Sequence, residues 1–240
     1  PDKVEKDIWL NFSPEEKQLY LANLAQVNEQ LQQQLELEQV DSILIIAMMT
    51  RLRQICCEPR MLYENYKGES TKFTMCLELI ETLKENGKKV LLFSSFISIF
   101  DSFIEEFNQR GIKYHMITGA VDKKKRKEEV DAFQSDDSDV FLISLKAGGT
   151  GLNLTKAQAV IHYDPWWNVS AQNQATDRAY RIGQTKNVLV YQLLMKNTIE
   201  AKIYEMQKRK KEMSDIFVEN SNGGISTLSK EELRDLFSME

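Results

Sequence analysis

The chain has 240 residues, 42% hydrophobic and 28% charged, which suits one large globular domain or one domain with an appendage. Its 36 acidic and 31 basic residues give a formal net charge of −5. That argues against coating nucleic acid by bulk charge, but not against a local cationic loop that grips a few phosphates. No apolar run approaches the roughly 18 residues of a membrane span, and the chain opens on Pro1 without a signal-peptide pattern, so it reads as a piece of something longer. Cys56, Cys57 and Cys76 make neither a disulfide framework nor a C-x-x-C zinc pair. They read as small buried residues of a reducing compartment, and hence of an intracellular protein.

In chain order, "VEKDIWLNF" alternates with a period of two and predicts a strand. Ser13-Pro14-Glu15-Glu16 supplies a cap, a proline at the first helical position and a glutamate at the third. The helix that follows carries Leu24, Val27, Leu31 and Leu35 on one face. A second helix, about 41–57, is stopped by Pro59. Strict alternation begins near Ser70: helix 71–86 ending at Gly87, strand "KKVLLFSS", helix "ISIFDSFIEEFNQR" closed by Gly111, strand "IKYHMI", helix "DKKKRKEEVDAF" and strand "DVFLISL". It continues with strand "AQAVIHYD", a helix over about 170–180, strand "NVLVYQLL" and helix "TIEAKIYEMQKRKKEM". "ENSNGGISTLSK" reads as a linker, and Ser229 with Glu232 caps a last short helix. Short apolar strands between amphipathic helices predict an α/β fold, a parallel sheet covered on both faces, plus an N-terminal helical appendage. The expected division is 1–68 for the strand and appendage, 69–213 for the sheet domain, and 214–240 for the linker and last helix.

Ligands of such sheets bind beyond the carboxyl ends of the strands, so the loops there are the candidates. "SLKAGGTGLNL" follows a strand, and Gly148, Gly149 and Gly151 let backbone N–H groups approach a phosphate, with Ser144, Lys146 and Thr150 as added donors. Tight turns use glycines as well. The loop is neither a Walker A element nor a G-x-G-x-x-G fingerprint. Trp166 and Trp167 follow Pro165; one reads as core and the other as able to stack on a sugar or base. "DKKKRKEE" reads either as a solvated helix face or as a contact to duplex backbone. His115 and His162 sit in apolar strand patterns without a companion ligand or nucleophile. In "QNQATDRAYRIGQ", Gln174, Arg178 and Arg181 stand at offsets of four and seven, the spacing of one helix face, as though held out to meet an anion.

Together, "VLLFSSF", "SLKAGGTGLNLTKA", "VIHYDPWWN" and "QATDRAYRIGQ", in that order, resemble the C-terminal RecA-like lobe of the Swi/Snf-type ATPases of helicase superfamily two. "LRQICCEPR" is similar to the helical segment before that lobe, and Gly119 with Arg126 resembles the family's glycine and arginine seven apart. Glu58 and Tyr180 depart from positions where many members carry histidine. The resemblance implies that Arg178 and Arg181 are arginine fingers reaching the γ-phosphate of ATP, with Gln174 as their polar partner. It implies nucleotide contact at Gly151 and Asn153, and DNA contact at Ser94, Ser95, Ser144, Lys146, Thr150 and Trp167. It also implies ATP and Mg²⁺ held mainly by an N-terminal RecA-like lobe of the same chain. The implied partners are double-stranded DNA and a DNA-bound protein, with no membrane. The implied setting is the bacterial cytoplasm or nucleoid, or the nucleus of a eukaryote.

Phosphoryl transfer needs a lysine-bearing phosphate cradle, Mg²⁺ with an acidic ligand, and cationic stabilisation of the transition state. The sequence has neither a G-x-x-x-x-G-K-[ST] loop nor a D-E-x-H motif and offers only the third, so the chain alone is expected to be inert. Two other readings stay open: a non-catalytic DNA- or protein-binding module, and a small-molecule α/β enzyme that uses "KAGGTGLNL" as its phosphate loop.

Overall fold

The computed structural model describes residues 1–148, 151–209 and 228–239. The chain begins with β1 (Lys3–Leu10), α1 (Pro14–Leu35), α2 (Ser42–Cys57) and a 3-10 turn at Pro59–Met61. Next come α3 (Thr71–Glu85), β2 (Lys89–Ser94), α4 (Ser98–Arg110), β3 (Tyr114–Ile117), α5 (Lys123–Ser135), β4 (Val140–Ser144) and the single turn α6 (Leu145–Gly148). β5 (Ala157–His162), α7 (Val169–Thr176), β6 (Val188–Met195), α8 (Ile199–Arg209) and α9 (Lys230–Leu236) complete it. The expected linker lies largely outside the described residues, as does the end of the helix before it.

Local chemistry sets the helix ends. The Ser13 hydroxyl accepts the Glu16 N–H while the Glu16 carboxylate accepts the Ser13 N–H, and Ser229 and Glu232 repeat this reciprocal cap at α9. α4 stops at Gly111, whose φ of 68° is the left-handed conformation that a side chain disfavours.

Six strands form one sheet in the order β1-β6-β5-β2-β4-β3. The pairs β3–β4, β4–β2, β2–β5 and β5–β6 are parallel. All of β4 and nearly all of β2 are buried, which is why these strands are continuous apolar runs rather than alternating ones. The register sets Ser94 beside Ser144, and Phe93 beside His162, so the carboxyl ends of β2, β4 and β5 lie level. The loops leaving those ends carry most of the candidate residues.

Compactness groups the chain into two units that interleave in sequence. The first comprises Pro1–Ile8, Phe73–Asp164 and Ala171–Leu193. The second takes Trp9–Lys72, Pro165–Ser170 and the described residues from Leu194. Phe73, Phe107 and Tyr163 pack around Phe103 within the first, with tilted or edge-on rings. The core of the second combines Leu24, Val27, Leu31, Ile45, Leu52, Ile203, Leu233 and Phe237 from α1, α2, α8 and α9. Inside it, Lys72 and Glu200 are fully buried, with the ammonium 2.6 Å from both carboxylate oxygens. Burial opposes the Lys72 charge, but Glu200 more than offsets it, and Lys72 titrates above its ordinary value. Glu200 also accepts the Met195 N–H at 2.9 Å, which fixes the entry to α8.

Candidate functional site

The arginine segment does not form the continuous helix its spacing suggested. α7 ends at Thr176; the Asp177 N–H still bonds four residues back to Asn173, but those of Arg178 and Ala179 bond only three back, to Ala175 and Thr176. The chain turns here because distant groups capture its carbonyls. The Leu154 N–H donates to the Arg178 carbonyl at 3.0 Å, and the Gln184 amide donates to the carbonyls of Ala179, Thr155 and Ala157 at 2.9–3.0 Å. Gly183 supplies the left-handed step with φ at 103°. Gln174, Arg178 and Arg181 therefore sit on a short helix and the turn after it, not on one helical stripe.

That turn is stitched to the loop after β4. Arg181 donates from Nη1 to the Leu152 carbonyl at 3.0 Å while remaining exposed to solvent. Arg178 is half-buried, and its Nε is buried without a hydrogen-bond partner among the described residues. Burial lowers the Arg178 pKa, and the Arg181 charge lowers it further, with Asp177 opposing. Two mutually repelling guanidinium groups are thus held within one turn. Gln174 is exposed one helical turn earlier.

The other predicted residues separate into braces and exposed groups. The Ser94 hydroxyl is fully buried, donates to Asp164 at 2.7 Å and accepts the Phe96 N–H. The Ser95 N–H donates to the same Asp164 oxygen at 3.1 Å. Ser144 is buried too, and its hydroxyl accepts the Ala147 N–H that opens α6. Both serines shape loops from inside. Lys146, Gly151 and Asn153 are exposed, and Gly151 takes a φ of 39°. A Cβ at Gly119 would lie 3.1 Å from the Lys146 Cβ, so glycine there allows the loop after β3 to close on Lys146. Thr150 and Gly149 lie outside the described residues. Trp166 is buried in the second unit, and Trp167 is half-exposed with the Arg53 guanidinium over its ring.

The basic run of α5, which the sequence left open between a solvated face and a contact to duplex backbone, lines a cleft. Lys123, Lys124, Arg126 and Lys127 of α5 line a cleft of about 850 Å³ together with Gly151, Leu152 and Asn153. Their offsets of three and four, ahead of Val130, were the available signal. His115 holds α5 from behind, with its ring nitrogens 2.6 Å from Glu129 and from Asp136. Burial opposes the His115 charge, but the two carboxylates win and raise its pKa. His162 is buried beside Phe93, bonds Thr176 at 2.9 Å and is pushed down to about 4 by burial. The two departures from the family pattern also find partners. Glu58 is buried and accepts from Ser70 and Arg60, and the Tyr180 hydroxyl donates to the Pro1 carbonyl at 3.0 Å.

Residues 71–183 match the helicase conserved C-terminal domain. The chain is 30% identical to the Sulfolobus solfataricus SWI2/SNF2 ATPase core in complex with dsDNA, with a TM-score of 0.82, covering 100% of this chain and 51% of that one. It is 26% identical to the Sulfolobus solfataricus SWI2/SNF2 ATPase C-terminal domain, with a TM-score of 0.79 and both chains covered in full. A Mycoplasma pneumoniae protein described as an uncharacterized ATP-dependent helicase is 38% identical over 99% of this chain and 23% of its own length. The chain thus spans about a quarter of the curated relatives it matches. Fold and matched segment define a helicase C-terminal lobe of RecA-like architecture. Within that class, the chain belongs to the Swi/Snf-type ATPases of helicase superfamily two.

Proposed function

We propose that this chain is the C-terminal lobe of an ATP-dependent double-stranded DNA translocase, in which Arg178 and Arg181 act on the terminal phosphate of ATP held by an N-terminal RecA-like lobe of the parent protein. One observation carries the reading. Arg178 keeps a buried Nε donor without an acceptor among the described residues, and burial, together with the second guanidinium beside it, depresses its pKa. Burying a donor without an acceptor is costly, and so is bringing two like charges together; an anion relieves both. The turn is fixed in advance by Gln184 and by the Arg181 bond to Leu152, so little reorganisation is needed when charge develops.

Bound ATP supplies the phosphoryl group transferred to water, and the cradle and Mg²⁺ site belong to the other lobe. An arginine finger contributes about 10³–10⁵ in rate, roughly 4–7 kcal/mol. Without the remaining machinery that stabilisation has nothing to act on, so the 240-residue chain alone hydrolyses no ATP. Gln174 orients the phosphate side of the site, and Gly151 and Asn153 face the nucleotide.

The relative solved with dsDNA supports the duplex as the second ligand. Exposed Lys146, the cations of the α5 cleft, Ser95, Thr150 and Trp167 contact the DNA, while Ser94 and Ser144 shape the loops that present them. Closure of the lobes on ATP and release after hydrolysis would alternate the grip on the phosphate backbone and move the enzyme along the duplex against a DNA-bound protein. The test compares ATP hydrolysis by the full-length parent, with and without duplex DNA, to that of this chain. Duplex stimulation of the parent and no turnover by the chain are expected. A parent indifferent to duplex, or turnover by the chain alone, overturns the reading.

A further inference from the structure

Arg53 lies on α2, within the second unit, and is only 6% exposed. A buried guanidinium is a poor choice for filling an apolar core, because desolvating its charge costs more than an apolar side chain of equal volume would. Its surroundings give it another task. The guanidinium carbon stands 5.3 Å from the centre of the Trp167 ring, and Nη2 reaches the Pro165 carbonyl at 3.5 Å. Both belong to the segment Pro165–Ser170, which packs as part of the same unit. Trp166 is buried there, whereas Trp167 rests on the core from its edge and stays half-exposed. One indole therefore anchors the segment, and the other, on solvent-facing display, has a cation against one face. A cation against the ring holds it at a fixed tilt while part of the indole stays exposed to solvent.

We infer that Arg53 is a positioning residue that fixes the Trp167 indole for stacking on a base or sugar of the duplex. The inference rests on the proposed reading of Trp167 as a DNA-contacting residue and adds the element that orients it. "LRQICCEPR" thereby gains a task beyond packing: α2 reaches the nucleic acid through a neighbour's ring without touching it.

Equilibrium binding of a short fluorescein-labelled DNA duplex to the full-length protein tests this by anisotropy, with each variant's fold checked by thermal melting. Trp167→Ala is expected to weaken binding about tenfold, the loss of one base–aromatic stack. Arg53→Leu should weaken it about fivefold, and Arg53→Lys about threefold, since lysine keeps the charge but not the planar face. The deciding variants combine each Arg53 change with Trp167→Ala. Positioning predicts that they bind no more weakly than Trp167→Ala alone. If Arg53→Leu does not fold, the Arg53→Lys pair makes the same comparison. Multiplied losses in the double variants, or Arg53 variants that bind like wild type while Trp167→Ala does not, would overturn the role of Arg53 and leave that of Trp167 standing. Trp167→Ala binding like wild type would remove the stacking reading, and the role of Arg53 with it.

Discussion

Gln184 bonds its side chain entirely to backbone: its amide nitrogen meets three carbonyls and its oxygen accepts the Lys186 N–H. Gln184→Ala leaves those carbonyls buried without donors and is expected to cost about 2–3 kcal/mol of stability, read by chemical denaturation. An alanine variant as stable as wild type would mean that the arginine turn is held by something else. His162 makes a second prediction. Its folded pKa of about 4 lies below the ordinary value near 6.5, so the unfolded chain binds a proton that the folded one refuses. Its contribution is fully present above about pH 6.5 and is lost on acidification toward pH 4, amounting to about 2 kcal/mol by pH 5. His162→Gln should therefore lose about that much less stability than wild type between pH 7 and pH 5. An equal loss in the two proteins would contradict the buried neutral imidazole.

At the scale of elements, α5 and α7 behave differently from their sequence patterns. α5 presents its cations to a cleft while His115 secures its other side. Only an imidazolium can donate to both Glu129 and Asp136. With a folded pKa above 6.5, this clip stabilises below that value and weakens as pH rises through the His115 pKa. Amide exchange of α5, corrected for intrinsic rates, should accelerate across that range in wild type and show no such step in His115→Gln. If the cleft meets phosphates, Lys123→Ala, Lys124→Ala and Lys127→Ala should each flatten the slope of log Kd against log salt for duplex by about 1. An unchanged slope in all three would return α5 to a solvated face. The ends of α1, α4 and α9 were legible because Ser13, Gly111 and Ser229 act on neighbours within a few residues. The end of α7 was not, because the groups that unwind it, Leu154 and Thr155, lie more than twenty residues away. Helical spacing brought Arg178 and Arg181 to attention, yet a turn is what holds them. The burial of Ser94 was hidden for a similar reason: its partner Asp164 is 70 residues distant, and periodicity carries no trace of that bond.

For the whole molecule, two units interleave along the chain, so composition alone could mark where alternation begins near residue 70 but not which segments pack together. Pro165–Ser170 shows this best, since it follows a strand of the first unit and includes the start of α7, yet packs with the second. The Lys72–Glu200 pair is a fully buried ion pair at the heart of the second unit. Lys72→Met alone should cost about 3–5 kcal/mol by stranding the carboxylate, and adding Glu200→Leu should recover most of it. A single variant as stable as wild type would show that the pair is not the constraint its burial implies. The arginine turn is the centre of the proposed mechanism, and its most direct measurement is duplex-stimulated ATP hydrolysis by the full-length parent carrying Arg178→Ala or Arg181→Ala. A fall in kcat of about a hundredfold or more, with ATP binding retained, is the predicted result. Wild-type turnover in both variants would contradict it and leave Arg178 and Arg181 as residues that tie the lobe together.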